Sequence, residues 1–262
     1  MTQERIPVIV EKSGAIATLI LNDPPHNPVS QDTVEALTAA VQELGADAQI
    51  RALIIRGAGE RAFSAGANIK EFGKGMGAGG LEGNLRERHA MIEAIECSPK
   101  PIIAAIHGTC MGGGLEIALG CHFRFASAVA TFALPEINLG VLPAWSGTQR
   151  LARVVGREAA LEMMLRAERW DAERALAHGL VSRVYPRELL LPKAEAFAAS
   201  LADKPPIAVA AILEATLAGE REGFDAGLAA EMKGVQAATG SKDNLEGVAA
   251  FLQKRKPRFQ GK

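Results

Sequence analysis

The stretch Pro101–Cys121, PIIAAIHGTCMGGGLEIALGC, sets the tightest limit on how this chain can fold. Ile102, Ile103, Ala104, Ala105 and Ile106 form a short, continuous apolar run, which suits a strand covered on both faces. Gly108 ends it. Gly112, Gly113 and Gly114 make a turn, and Leu115 to Leu119 begin a helix. Consecutive glycines bare their backbone N–H groups, and a helix starting there adds the positive end of its dipole. Glu116 is the one carboxylate in the first turn of an otherwise apolar helix. Two readings stand. Either an anionic oxygen docks on the glycine N–H groups with Glu116 beside it as an acid/base group, or this is a tight strand–helix turn with Glu116 facing water.

The strand–turn–helix logic appears again upstream. Ala52 to Arg56 reads as a strand ended by Gly57-Ala58-Gly59, followed by the small-residue segment Arg61 to Lys70. Two such turns would place two N–H donors, from Ala67 and Gly113, in one pocket, unless both are ordinary β–α connections. Before them, Val8–Glu11 and Ala15–Leu21 read as a hairpin. Ser30 caps a helix to about Leu44 with Val34, Leu37, Val41 and Leu44 on one face. His26, among prolines, reads as a loop residue more readily than a catalytic one. The glycine-rich stretch from Gly73 to Gly83 suits either a lid or a spacer, and a helix from about Leu85 to Glu96 follows. His122 reads as a core or helix-end residue.

A second carboxylate, Glu136, sits among Leu134, Ile137, Leu139, Val141 and Leu142. A carboxyl in apolar surroundings has a raised pKa and can donate a proton near neutrality. From Pro186 onward the pattern is helical throughout. The change divides the chain into an α/β core, residues 1–195, and a C-terminal helical region, residues 196–262, whose apolar faces suit another subunit.

Length and composition narrow the function. The chain has 262 residues, 48% of them hydrophobic and 5% aromatic, enough for one large core and too few aromatics for a base-stacking surface. A net charge of −1 gives no sign of a nucleic-acid or membrane-surface protein. Cys97, Cys110 and Cys121 lack metal-ligand spacing, and a reduced, cytoplasmic chain is the simplest expectation. The N-terminus lacks the apolar core of a signal peptide, and no uncharged run approaches the about 18 residues of a membrane span. The GxGxxG fingerprint and the phosphate-loop lysine are missing, which argues against NAD and ATP. Two N–H donors and two carboxylates fit a thioester-type carbonyl held in an oxyanion hole while its α-carbon gains or loses a proton. Glu116 and Glu136 sharing one water would hydrate a conjugated double bond.

The segments AFSAGANIKEF, PIIAAIHGTCMGGGLEIAL, FALPEINLGVLP, GTQRLARVVG and EGVAAFLQKRKPRF, in this order, resemble the enoyl-CoA hydratase/isomerase (crotonase) family over essentially the whole chain. The resemblance implies a spiral of ββα turns with a C-terminal helical oligomerisation region forming trimers, often paired into hexamers. It implies acyl-CoA thioester substrates, with coenzyme A part of the substrate, no separate cofactor and no metal. Within it, Ala67 and Gly113 match the oxyanion-hole donors, Glu116 the carboxylate that activates water and Glu136 the one that protonates the α-carbon. Ala65, Ala67, Asn68, Ile69 and Lys70 match the CoA-lining segment; Phe251 and Lys254 match tail residues that reach the CoA of a neighbouring subunit. Retention of both glutamates points to enoyl-CoA hydratase. Isomerase, hydrolase or hydratase-lyase chemistry on the same scaffold is the alternative, and a non-catalytic or RNA-binding relative a distant one. Two departures stand out. Asn68 replaces a frequent Asp. Ala144-Trp145-Ser146 replaces small, glycine-rich residues, so Trp145 either reshapes the acyl pocket or serves as packing.

Overall fold

The computed structural model describes residues 6–69 and 80–262. The architecture is α/β. Strands β1 (Val8–Ser13), β2 (Ile16–Leu21), β3 (Ala52–Gly57), β5 (Ile102–Ile106), β7 (Phe123–Ser127) and β10 (Arg183–Tyr185) form a six-stranded sheet in the order 1-2-3-5-7-10. A smaller sheet has the order 4-6-8-9, from β4 (Ala62–Ser64), β6 (Thr109–Met111), β8 (Thr131–Ala133) and β9 (Trp170–Asp171). The β1–β2 hairpin is antiparallel, and β2, β3, β5, β7 and β10 then run parallel. Each turn of the chain lays one strand in the large sheet and the next in the small one. Thus β3 is followed by β4 and then helix α2 (Gly80–Glu96), and β5 by β6 and then α3 (Gly113–Gly120). This is the expected spiral of ββα turns.

Apolar runs decide which strands lie deepest. Every residue of β5 is buried, as its uninterrupted aliphatic sequence requires of a central parallel strand. Helix α1 (Gln31–Ala46) is capped by Ser30, whose hydroxyl accepts from the Thr33 N–H, and it buries Val34, Leu37, Val41 and Leu44. The core between the sheets takes these residues together with Phe63, Ile92, Ile95, Leu115, Ile117 and Trp170. On the other face of the large sheet, helix α7 (Arg187–Ala202) buries Leu190, Ala194 and Ala198 against Ile54, Ile103 and Phe125. Packing on that face therefore runs past residue 195 to the end of α7.

Two expectations are corrected here. The segment after β5 is not a simple turn into a helix, because Thr109–Met111 forms β6, paired in parallel with β4 and β8. Helix α2 begins at Gly80 rather than near Leu85. Its first turns are held by a Glu82–Arg86 ion pair one helical turn apart, and its buried side includes Arg88 as well as Met91, Ile92 and Ile95. The anticipated lid at Gly73–Gly83 lies mostly outside the described residues.

After β8, a 3-10 turn (Glu136–Leu139) leads to helices α4 (Gly147–Val155), α5 (Arg157–Arg166) and α6 (Ala172–Ala177). The C-terminal helices are α8 (Pro206–Glu222), α9 (Phe224–Thr239) and α10 (Lys242–Leu252). The tail folds back, with Asp243 accepting from the N–H groups of Gln260 and Gly261. Among the described residues, no single helix is long and apolar enough to cross a membrane.

Candidate active site

Two backbone turns meet at the end of the small sheet. The first follows β4. Asn27, buried with φ of 48°, donates from Nδ2 to the carbonyls of Ala58 and Ala62, and its own carbonyl accepts from the Ser64 hydroxyl. The Val29 N–H donates to Gly66 O and the Asn68 N–H to Val29 O, so the bridge between Val29 and Ala67 does not use the Ala67 N–H, which has no backbone acceptor among the described residues. Gly66 has φ of +95°, and a Cβ there would stand 2.8 Å from Met111 O and 3.2 Å from Gly113 N. Only glycine allows the first turn to lie this close to the second.

The second turn opens α3. Gly112 donates to Ala133 O and has φ of +53°. Gly113 then starts the helix, where an N–H has no intrahelical acceptor. The Ala67 and Gly113 N–H groups are therefore available on adjoining turns.

Glu116 does not face water. It is 2% exposed, and its Oε1 accepts from the Gly147 N–H at 2.7 Å. Burial pushes its carboxyl up to about 8. The Gly147 N–H opposes that rise and the nearby Glu136 charge adds to it, while the Trp145 N–H and Arg150 oppose it further. Glu136 begins the 3-10 turn after β8 and points back at Gly112, where a Cβ would come 2.9 Å from its Oε1. Its Oε2 is buried without a hydrogen-bond partner, and burial raises its pKa as well. The source of that burial differs from the sequence expectation. Ile137, Leu139, Val141 and Leu142 are exposed in this chain, because the 3-10 turn carries them outward, and only Leu134 of that set is buried. The glycine turn itself contributes to the cover over Glu136.

Trp145 is 7% exposed and packs its six-membered ring edge against the same turn. A Cβ on Gly113 would meet its ring at 2.1 Å. Of the CoA-lining candidates, Ala65, Asn68 and Ile69 follow β4 directly, with Ala65 and Ile69 exposed; Lys70 is outside the described residues. Phe251, 83% exposed on α10, and Lys254 just beyond it are solvent-facing in the single chain and are not brought to the carboxylates by this chain's own packing.

The arrangement can hold a carbonyl oxygen on two N–H groups and present one buried and one half-buried carboxyl, both raised in pKa, to the neighbouring carbons. A family model described as enoyl-CoA hydratase/isomerase matches residues 11–262. The chain belongs to the enoyl-CoA hydratase/isomerase family. It is 43% identical to a probable enoyl-CoA hydratase of Bacillus subtilis, over 94% of this chain and 95% of that one. A short-chain-enoyl-CoA hydratase of Clostridium acetobutylicum is 35% identical, with 95% of each chain covered. The crystal structure of enoyl-CoA hydratase from Bacillus anthracis matches with a TM-score of 0.92 at 35% identity, over 98% of this chain and 100% of that one.

Three members of the site escaped the sequence reading. Gly147 holds Glu116, and a Cβ there would stand 2.8 Å from Glu116 Oε1. Asn27 anchors the first turn. Arg150 bonds the Ser146 hydroxyl and pairs with Glu96 at 3.0 and 2.6 Å, tying the Trp145–Gly147 loop to the end of α2. Asn27 alone carried a local signal, since Asn tolerates positive φ better than most residues. Among the described residues, no group of three or more His, Cys, Asp or Glu side chains comes together to hold a metal ion.

Proposed function

We propose that this family member is an enoyl-CoA hydratase, adding water reversibly across the 2,3 double bond of a 2-enoyl-CoA thioester. The observation that carries the reading is the pair Glu116, buried, and Glu136, half-buried, both raised in pKa and close enough to interact, with Glu136 Oε1 set against Gly112 and Glu116 Oε1 held by Gly147. The names of the relatives support it.

In this reading the thioester oxygen accepts from the Ala67 and Gly113 N–H groups. Each donor is worth roughly 2.7–4 kcal/mol as the oxygen gains enolate charge. A water sits between the two carboxyls. Glu116, oriented by the Gly147 N–H, takes a proton from the water in its ionised form as the oxygen bonds to C3. Glu136, whose Oε2 has no hydrogen-bond partner, enters the step protonated and gives its proton to C2. Water is consumed, one C–O and one C–H bond form, and the proton now on Glu116 must return to Glu136 before the next turnover. No redox or metal cofactor enters. Ala65, Asn68, Ile69 and Lys70 would line the CoA, joined by Phe251 and Lys254 of a neighbouring copy in a trimer or hexamer.

The test is loss of the conjugated enoyl-thioester absorbance with crotonyl-CoA, with the product identified. The 3-hydroxy thioester is expected, and a product with a migrated double bond would overturn the reading in favour of an isomerase. Glu116→Gln and Glu136→Gln are each expected to slow turnover about 10²- to 10⁴-fold. Unchanged turnover in either would remove that residue from the mechanism.

A further inference from the structure

Trp145 is the residue of the site that hydration itself does not require. Its ring fills space left by missing side chains. A Cβ on Gly113 would lie 2.1 Å from ring atom Cζ3, 2.5 Å from Cε3 and 2.6 Å from Cη2, so the six-membered edge rests on the Gly113 Cα. Two residues on, Gly147 holds Glu116 Oε1; one residue before Gly113, Gly112 faces Glu136 Oε1. The indole is thus set between the elements that fix both carboxyls and the N–H donor of Gly113.

The ring is also held in place. The Arg88 guanidinium lies 5.7 Å from its centroid. Arg88 is itself buried, and its Nη1 donates to Gln31 Oε1 at 2.9 Å and to Asn84 O at 3.0 Å. On the chain before Trp145, His89 Nε2 donates to Ala144 O at 2.6 Å. On the chain after it, Arg150 bonds the Ser146 hydroxyl and pairs with Glu96. A large side chain clamped from α2 on both sides is a wall, not a hinge.

From this we infer that Trp145 closes the acyl end of the site and restricts it to short 2-enoyl groups. The inference rests on the hydratase reading above. With the carbonyl on Gly113 and C2 and C3 between the carboxyls, the acyl carbons next to the reacting bond lie beside the Gly113–Gly147 side, where the indole already stands. A pocket of fixed shape discriminates about 10- to 200-fold per misfitting methylene, so two or three extra carbons suffice for exclusion.

The experiment compares kcat/KM for crotonyl-CoA, trans-2-decenoyl-CoA and cinnamoyl-CoA in the wild type, Trp145→Ala and Trp145→Phe. The wild type is expected to favour crotonyl-CoA at least about 100-fold over either longer or aromatic substrate. Trp145→Ala is expected to collapse the decenoyl-to-crotonyl ratio to within about 10-fold, with Trp145→Phe between the two. The ratio, rather than the absolute rate, is the readout, because truncation in the core also lowers overall activity. A wild type that turns over decenoyl- or cinnamoyl-CoA as well as crotonyl-CoA overturns the inference without any variant. A ratio unchanged in Trp145→Phe overturns it too, even should Trp145→Ala not fold. A wild type inactive on all three substrates speaks against the hydratase reading instead, so the two failures are distinguishable.

Discussion

Helix α3 and the helix pair α8–α9 are built from similar residues, rich in Ala, Gly and Leu, yet they end in opposite environments. Every residue of α3 is buried. No residue of α8 or α9 is. Helix α3 is short and follows two strands of different sheets, so the spiral wraps it on all sides and draws Glu116 in with it. Helices α8 and α9 lie beyond the last strand and pack chiefly on each other through small residues: a Cβ on Gly234 would come 2.7 Å from that of Ala211, and one on Gly227 2.9 Å from Gly219 Cα. Their larger apolar residues, Ile212, Leu228, Met232 and Val235 among them, remain exposed. Apolar content alone therefore does not report burial. Position relative to the sheets does, and it gives α3 a buried site and the C-terminal helices an open face.

The same substitution in the two regions tests this contrast, and its effect in α3 is the largest expected. Gly113→Ala puts a methyl into the Trp145 ring, which the Arg88 contact prevents from moving freely. Overpacking of this kind costs about 1–3 kcal/mol, and displacement of the Gly113 N–H is expected to lower turnover by about 10² or more. Trp145→Ala in the same chain should recover much of the lost stability. Gly234→Ala meets a similarly close neighbour, but α8 and α9 are free to part slightly, and Ala gains about 0.8–1 kcal/mol over Gly in a helix. A net change under about 1 kcal/mol is expected there. Denaturant unfolding of both variants decides the matter, and a larger loss at Gly234 would reverse the comparison.

The buried carboxyl gives α3 a pH signature. Glu116 ionises near its ordinary value of 4.5 in the unfolded chain and at about 8 in the folded one. Between these values the unfolded state sheds its proton while the folded state keeps it, so the unfolded state binds fewer protons and stability falls as pH rises. The decline should start near pH 4.5 and level off above about 8. Glu136 contributes in the same direction. In Glu116→Gln this part of the slope is expected to flatten, seen as a smaller loss of melting temperature from pH 5 to 8. An unchanged slope would mean that Glu116 is solvated in the folded chain.

Much of this was legible in the sequence, and what was not has a common cause. The long apolar runs of β3 and β5, the Ser30 cap, the core face of α1 and the helical C-terminal third all follow from local pattern, and the motif order identified the spiral. Strands β4, β6 and β8 span three residues each, too few for a period to register. The environment of Glu116 stood open between solvent and site because it depends on Gly147, 31 positions away. The part played by Asn27 depends likewise on Ala62, 35 positions away. Such contacts are products of the fold and leave no spacing to read. The exposed run after Glu136 misled for the converse reason: apolar residues in sequence say nothing about which way a 3-10 turn directs them.

The smallest effect on the single chain is expected on the open face. Met232 and Val235 lie three residues apart on α9, on one side of the helix, and both are exposed. Charged residues placed there remove no buried contact, so Met232→Glu with Val235→Asp should change unfolding free energy of the isolated chain by only about ±0.5 kcal/mol for each position. If another copy of the chain covers that face in the proposed trimer, the same pair buries two carboxylates without partners and association fails. Sedimentation then shows a single chain where the wild type shows an assembly. Turnover falls alongside to the extent that Phe251 and Lys254 of a neighbour help to hold CoA. A double variant that sediments like the wild type would move the contact surface elsewhere, to the exposed ridge of Leu245, Val248 and Leu252 on α10, and would leave α8 and α9 as an open face in the assembly as well as in the chain.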